Sequence, residues 1–270
     1  MKRGSLLSVL IVLLVLGAGV LGADDITLRL EDFVIETWDK EDSSYFEYSN
    51  DDEIKGQPIT WEVRGSKFSA DGLPLVGYMD EAWPDDLFGR DPMADPNYEG
   101  DAPGVLAIKG AFTRQGYNQI ELIPGIGSGD DFVPTPIPLP GRVRTVDFWV
   151  WGSNYDYYVE VHFMDHMGIP HVLQPVRIGQ LREPGSIKFV GWKNMIIDMP
   201  NYIKQSVNYK PELANLSLTK IVFTTHPAEI VTEFNILVDH LKVISDMHES
   251  FYDGFELVDK MSEVQWKNEE

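Results

Sequence analysis

Between Gly141 and Val172 the chain reads GRVRTVDFWVWGSNYDYYVEVHFMDHMGIPHV, two alternating runs around a Gly152-Ser153-Asn154 turn. In the first run Val146, Phe148 and Val150 fall on one side, and Thr145, Asp147, Trp149 and Trp151 on the other. In the second, Tyr157, Val159, Val161 and Phe163 share a side, with Tyr158, Glu160 and His162 opposite. Side chains alternate across a strand, so a period of two sustained over this length demands a sheet with one face in a core. The runs read as consecutive strands joined by tight turns. Their second face, Trp149, Trp151 and Tyr158 with Glu160 and His162 beside them, is more aromatic than a solvated surface requires, and it is the candidate protein interface.

The same grammar recurs along the chain. Ile26 to Leu30, Phe33 to Trp38 and Ile59 to Val63 read as short strands, as do Val105 to Phe112 and Gln119 to Ile123. Ile187 to Trp192, Met195 to Met199, Lys220 to Thr225 and Phe234 to Ile244 complete the set. Many short strands punctuated by Gly and Pro indicate an all-β fold, a jelly-roll-like β-sandwich resembling carbohydrate-binding modules. Asp39 to Glu53 is irregular and acidic. The stretch from about 80 to 103 has four prolines and no periodicity, so it reads as a long loop insertion. Pro134 to Pro140 (PTPIPLP) cannot donate a regular ladder and reads as an extended connector, either between an N-terminal lobe and the later sheet or within one sandwich.

Both ends fall outside the sandwich pattern. Lys2 and Arg3, the apolar run Leu6 to Val20, and the small residues Gly22 and Ala23 have the anatomy of a cleaved secretory signal peptide spanning 1–23. The sandwich then occupies 24–246. In the remainder, 247–270, Phe251, Phe255, Val258, Met261 and Val264 have the spacing of an amphipathic C-terminal helix. There is no cysteine, so an exported chain must be held by its hydrophobic core alone. The formal charge is −21, concentrated between Asp24 and Asp101, where 22 acidic residues face 6 basic ones. Such a surface excludes nucleic acid and anionic lipid as direct partners, so no membrane contact is expected after signal cleavage. It favours basic protein surfaces, or serves solubility.

Motifs for catalysis are missing from the sequence. There is no nucleophile elbow, phosphate loop, dinucleotide glycine pattern or thiol, and the adjacent carboxylates Asp85-Asp86 and Asp130-Asp131 do not display the separation that glycoside hydrolysis needs. The chain is read as no enzyme, with no catalytic residue and no cofactor. His162, Asp165, His166 and His171 lie within ten residues, but nothing fixes a fourth zinc ligand, so no metal is assigned. Asp239 shares an apolar face with Leu237, Leu241 and Val243 and needs a partner there, either backbone donors or an ion. The aromatic face fits three arrangements: stacking on a sugar, a protein contact, or a second core beneath the acidic N-terminal segment.

These residues together resemble the FlaA family, the outer-layer (sheath) proteins of spirochaete periplasmic flagella. The resemblance is carried by the signal peptide and acidic start, Arg144-Thr-Val-Asp-Phe-Trp-Val-Trp-Gly152 with its Tyr-rich successor, and Gly191-Trp192-Lys193-Asn194. Lys220-Ile-Val-Phe-Thr224 and Ile236-Leu-Val-Asp-His-Leu-Lys-Val243 extend it. It implies a periplasmic structural protein that coats a flagellin core, with flagellin subunits, other sheath proteins and further copies or paralogues as partners, and that contributes to filament shape and motility. A periplasmic or secreted carbohydrate-binding protein using the same face is the alternative.

Overall fold

The alternating runs are strands in the computed structural model, which describes residues 29–88, 103–177, 183–205 and 216–247. In chain order these hold β1 (Leu30–Glu36), β2 (Thr60–Gly65), β3 (Leu75–Asp80), a one-turn helix α1 (Asp85–Phe88), β4 (Gly104–Gly110) and β5 (Gln119–Ile126). Next come β6 (Val133–Pro134), β7 (Ile137–Leu139), β8 (Arg142–Ser153), β9 (Tyr157–Met164), β10 (Pro170–Leu173) and β11 (Val176–Arg177). The chain ends its regular structure with β12 (Val190–Asp198), β13 (Leu216–Thr225) and β14 (Phe234–Asp246). The expected signal peptide and C-terminal helix lie outside the described residues, as does most of the proline-rich insertion.

Two seven-stranded antiparallel sheets face each other. The first runs β11-β12-β8-β14-β4-β3, with β1 also on β14; the second runs β10-β9-β13-β5-β2, with β6 on β5 and β7 on β13. The fold is an all-β sandwich, as the alternation requires. Its core interleaves Val146, Phe148 and Val150 of β8 with Tyr157, Val159, Val161 and Phe163 of β9, all buried. With no disulfide present, burial of such residues, about 1.5–3 kcal/mol each, is what opposes chain entropy.

Several expectations change. The segment through Pro134 to Pro140 is paired, because β6 and β7 each offer two or three residues to a neighbour and Ile137 and Leu139 are buried. Proline forbids donation only at its own position, so short pairing at a margin survives. The first third is no separate lobe among the described residues: β1 and β3 join the first sheet and β2 the second. β3 itself was not evident in the sequence. The two strands expected either side of Lys193 and Asn194 are one, β12, running unbroken opposite β8 from Val190 to Asp198.

Within the acidic segment after β1, Trp38 and Phe46 are buried, as is Glu36 at the end of β1. Its carboxylate accepts from Trp38 N (3.0 Å), Ser43 Oγ (3.0 Å), Ser44 Oγ (2.7 Å) and Trp61 Nε1 (2.9 Å). One carboxylate thus binds β1, the following loop and β2, a strand of the other sheet.

Candidate functional site

The alternation places side chains in or out, but it does not say which sheet a strand joins. β8 hydrogen-bonds β12 and β14, whereas β9 hydrogen-bonds β13 and β10. The two runs are therefore not a hairpin. The Gly152-Ser153-Asn154 turn carries the chain from one sheet to the other. Asn154, at φ 66°, donates its N–H to Phe189 O at 2.8 Å. Gly152 is pressed against the carbonyls of Ile187 and Phe189, where a Cβ would lie 2.7 and 2.6 Å from oxygen, so only glycine fits. The five candidate residues are consequently split. Trp149 and Trp151 face outward from the first sheet, and Tyr158, Glu160 and His162 face outward from the second. The expectation of one shared aromatic face is corrected by this crossover.

On the first sheet the tryptophans gain companions that alternation within β8 does not reveal. Trp192 of β12 sits directly opposite Trp151, and Leu237 of β14 flanks Trp151 on its other side. Ala107 of β4 and Gly77 of β3 continue that row across the sheet, with Leu75 and Met79 exposed at its margin. Trp149 lies in the next row between Asn194 and Asp239 and is only 9% exposed. Trp151, Trp192 and Leu237 are half-buried and present the accessible apolar surface. Of the nearest polar groups, Asn194 Nδ2 donates to Asp147 Oδ1 at 3.0 Å and Lys242 Nζ stands 3.8 Å from the same oxygen, while Asn194 Oδ1 is buried without a partner. The alternation of Trp192, Asn194 and Ile196 against Met195 and Ile197 was the signal that could have identified Trp192.

The outer face of the second sheet is polar. Glu160 accepts from Gln174 Nε2 at 3.1 Å and lies 3.8 Å from His162 Nε2, while Lys220 pairs with Glu121. Burial and the neighbouring Lys220 ammonium push the His162 pKa below the usual histidine value. Tyr158 is the one aromatic side chain among the candidates on this face. Of the other histidines in this stretch, His171 and the backbone N–H groups of Met167 and Ile169 all donate to Asp165, at 2.9 to 3.0 Å. His166 contacts Lys204 O through Nδ1. They tie a turn together.

Asp239 is displaced from its expected face. A bulge between Asp239 and Lys242, with His240 at φ 50°, shifts the register, so Asp239 points outward with Leu237 while Leu241 and Val243 point into the core. Burial above all, with Asp39 and Glu36 nearby, raises its pKa from the ordinary 3.8 to about 8; the His240 N–H only partly offsets this. Glu36 and Asp147 shift upward for the same chief reason, whereas burial depresses His162 and His240 below 6.5.

A raised carboxylate pKa means that the folded state binds more protons than the unfolded one. Its contribution is full below about pH 4 and is lost as pH rises towards 8. The histidine contributions have the opposite sign and act below 6.5. Between pH 6.5 and 8 stability is therefore expected to fall, by up to about 1.4 kcal/mol per pH unit from Asp239. Urea midpoints across that range check this, and D239N should flatten the slope. A wild-type stability that rises over the range would refute the assignment.

Comparison with known proteins bears on this arrangement. The family model described as flagellar filament outer layer protein FlaA matches residues 94–252. A flagellar filament outer layer-like protein of Brachyspira hyodysenteriae is 24% identical over 148 residues, covering 55% of this chain and 60% of that relative, less than two thirds of its length. Among solved structures, a carbohydrate-binding module of the β-sandwich superfamily aligns at 11% identity over 67% of this chain and 55% of its own, with a TM-score of 0.37. The family 11 carbohydrate-binding module of a Clostridium thermocellum cellulosomal cellulase aligns at 11% identity over 71% and 91%, with a TM-score of 0.30.

Proposed function

The chain belongs to the flagellar filament outer layer protein FlaA family, and from that premise we propose that it is a structural subunit of the outer layer of periplasmic flagellar filaments. It coats a flagellin core and contributes to filament shape and motility, without catalysis. The observation that carries this reading is the outward apolar row Trp192, Trp151 and Leu237 on the first sheet. Tryptophans presented on the outer face of a sheet suit a protein contact, where aromatic anchors dominate binding energy. A sugar site combines stacking rings with free convergent polar groups. Here Glu160 and His162 lie on the opposite sheet from the tryptophans, and Asp147, Asn194 and Lys242 beside them largely engage one another, so the carbohydrate reading is the weaker one.

The test is direct. Filaments purified from the source cells and probed with an antibody to this chain are expected to carry it along their length. Its recovery only in the soluble periplasmic fraction, with bare filaments, would overturn the proposal.

A further inference from the structure

The lateral edges of the sandwich differ in a way that bears on how one copy meets the next. β10 pairs only with β9 among the described residues, so its other edge has no strand partner. Around that edge Tyr202 is 69% and Met167 62% exposed, and Ile169 and Val172 stand out beside them. The segment from Met164 to Leu173 holds a single carboxylate, Asp165, which is buried and occupied by its three donors. In a chain of net charge −21 this is an edge with almost no negative charge of its own, and it carries His166 and His171.

In the first sheet β1 lies off the main strand path and pairs only with β14 among the described residues, leaving Leu30 and Val34 exposed along a second free edge. Beside it opens a cleft of about 210 Å³ lined by Val34, Tyr45, Tyr48, Ile137 and Pro138, with Glu47 at its border. Asp32 and Glu47 are exposed here, and the half-buried Glu31 is paired with Arg29 at 2.6 Å, so this edge keeps a net negative charge.

We propose that β10 of one copy docks, as an added strand, on the β1 edge of a second copy, seating Ile169 or Val172 in the cleft between Val34 and Tyr45. Unpaired edges are templates for pairing with another chain. Two acidic β1 edges repel each other, whereas the β10 edge approaches an acidic partner without that cost. The contact is heterologous: it joins two different patches, one on each sheet, so it propagates from copy to copy as an open array or a closed ring rather than stopping at a two-fold dimer. The inference rests on the outer-layer reading but is tested without filaments, so failure of one is distinguishable from failure of the other.

Because the chain has no cysteine, introduced thiols report only the designed contact. V34C and V172C are made singly and mixed, then treated with a short bismaleimide that tolerates a one-residue uncertainty in register. Cross-linked dimer is expected from the mixture and not from either variant alone, and the V34C/V172C double variant should give a ladder. Dimer from V172C alone would mean an isologous β10 contact and would overturn the proposal. So would a mixture yield no greater than that of V172C mixed with Y117C, whose thiol sits on a loop remote from β1. As a second readout, I169K/V172K should abolish concentration-dependent association in sedimentation velocity and leave thermal unfolding within a few degrees of wild type, since both positions are exposed. A wild-type chain that stays monomeric at every concentration also overturns it.

Discussion

A chain carrying both Trp151→Ser and Trp192→Ser is expected to co-sediment with bare flagellar filaments at least 30-fold more weakly than wild type, while remaining folded. Aromatic anchors at protein contacts cost about 2 kcal/mol or more when truncated, and that alone is a factor of 30. The two rings are directly opposed across β8 and β12, point away from the core and are half-buried, so their loss exposes no core residue. Tyr158→Ser is the control. It sits on the opposite sheet and should leave binding unchanged. If Tyr158→Ser abolishes binding and the tryptophan pair does not, the wrong face has been assigned. If neither variant matters, the sandwich meets the filament through its edges or loops.

Glu36→Ala is expected to be the most destabilising single substitution at a polar position, lowering unfolding free energy by about 3 kcal/mol or more. Four donors converge on this buried carboxylate, and removing it leaves the Trp61 indole N–H, the Trp38 amide and two serine hydroxyls facing an empty space. Total stability for a domain is about 5–15 kcal/mol, so such a loss is a large share of it. Glu36→Gln keeps one acceptor oxygen and the volume, so it should fall between Ala and wild type. Urea unfolding monitored by tryptophan fluorescence reads both, with Trp38 and Trp61 packed 5.2 Å apart as reporters. A loss below about 1 kcal/mol for Glu36→Ala would mean that the loop re-pairs its donors with water and that the carboxylate is no hub.

The in-or-out alternation was legible in the sequence because a strand has only two sides, and it located β8, β9, β13 and β14 well. Sheet membership was not legible, since alternation is identical whether the next strand pairs or crosses over; that is why alternation alone groups Tyr158 with Trp149 and Trp151. Alternation alone puts Asp239 on the wrong face because a single bulge residue, His240, reverses parity, and nothing in Leu237-Val238-Asp239-His240-Leu241 announces it. Glu36 was hidden for another reason. In a segment crowded with acidic residues, composition cannot distinguish the one carboxylate whose donors arrive from 2, 7, 8 and 25 positions away. Trp192 was visible as a motif residue, but its partnership with Trp151 depends on a pairing between strands roughly 40 residues apart.

The crossover at Gly152 has one more consequence. Because consecutive strands emerge on opposite sides, a single short stretch of sequence writes two unlike exteriors, one greasy and one salted, back to back. A tile made that way has an underside. In the outer layer proposed above, one side would meet the filament and the other the surrounding fluid, so a row of such tiles would have its inside and outside determined before any neighbour arrives.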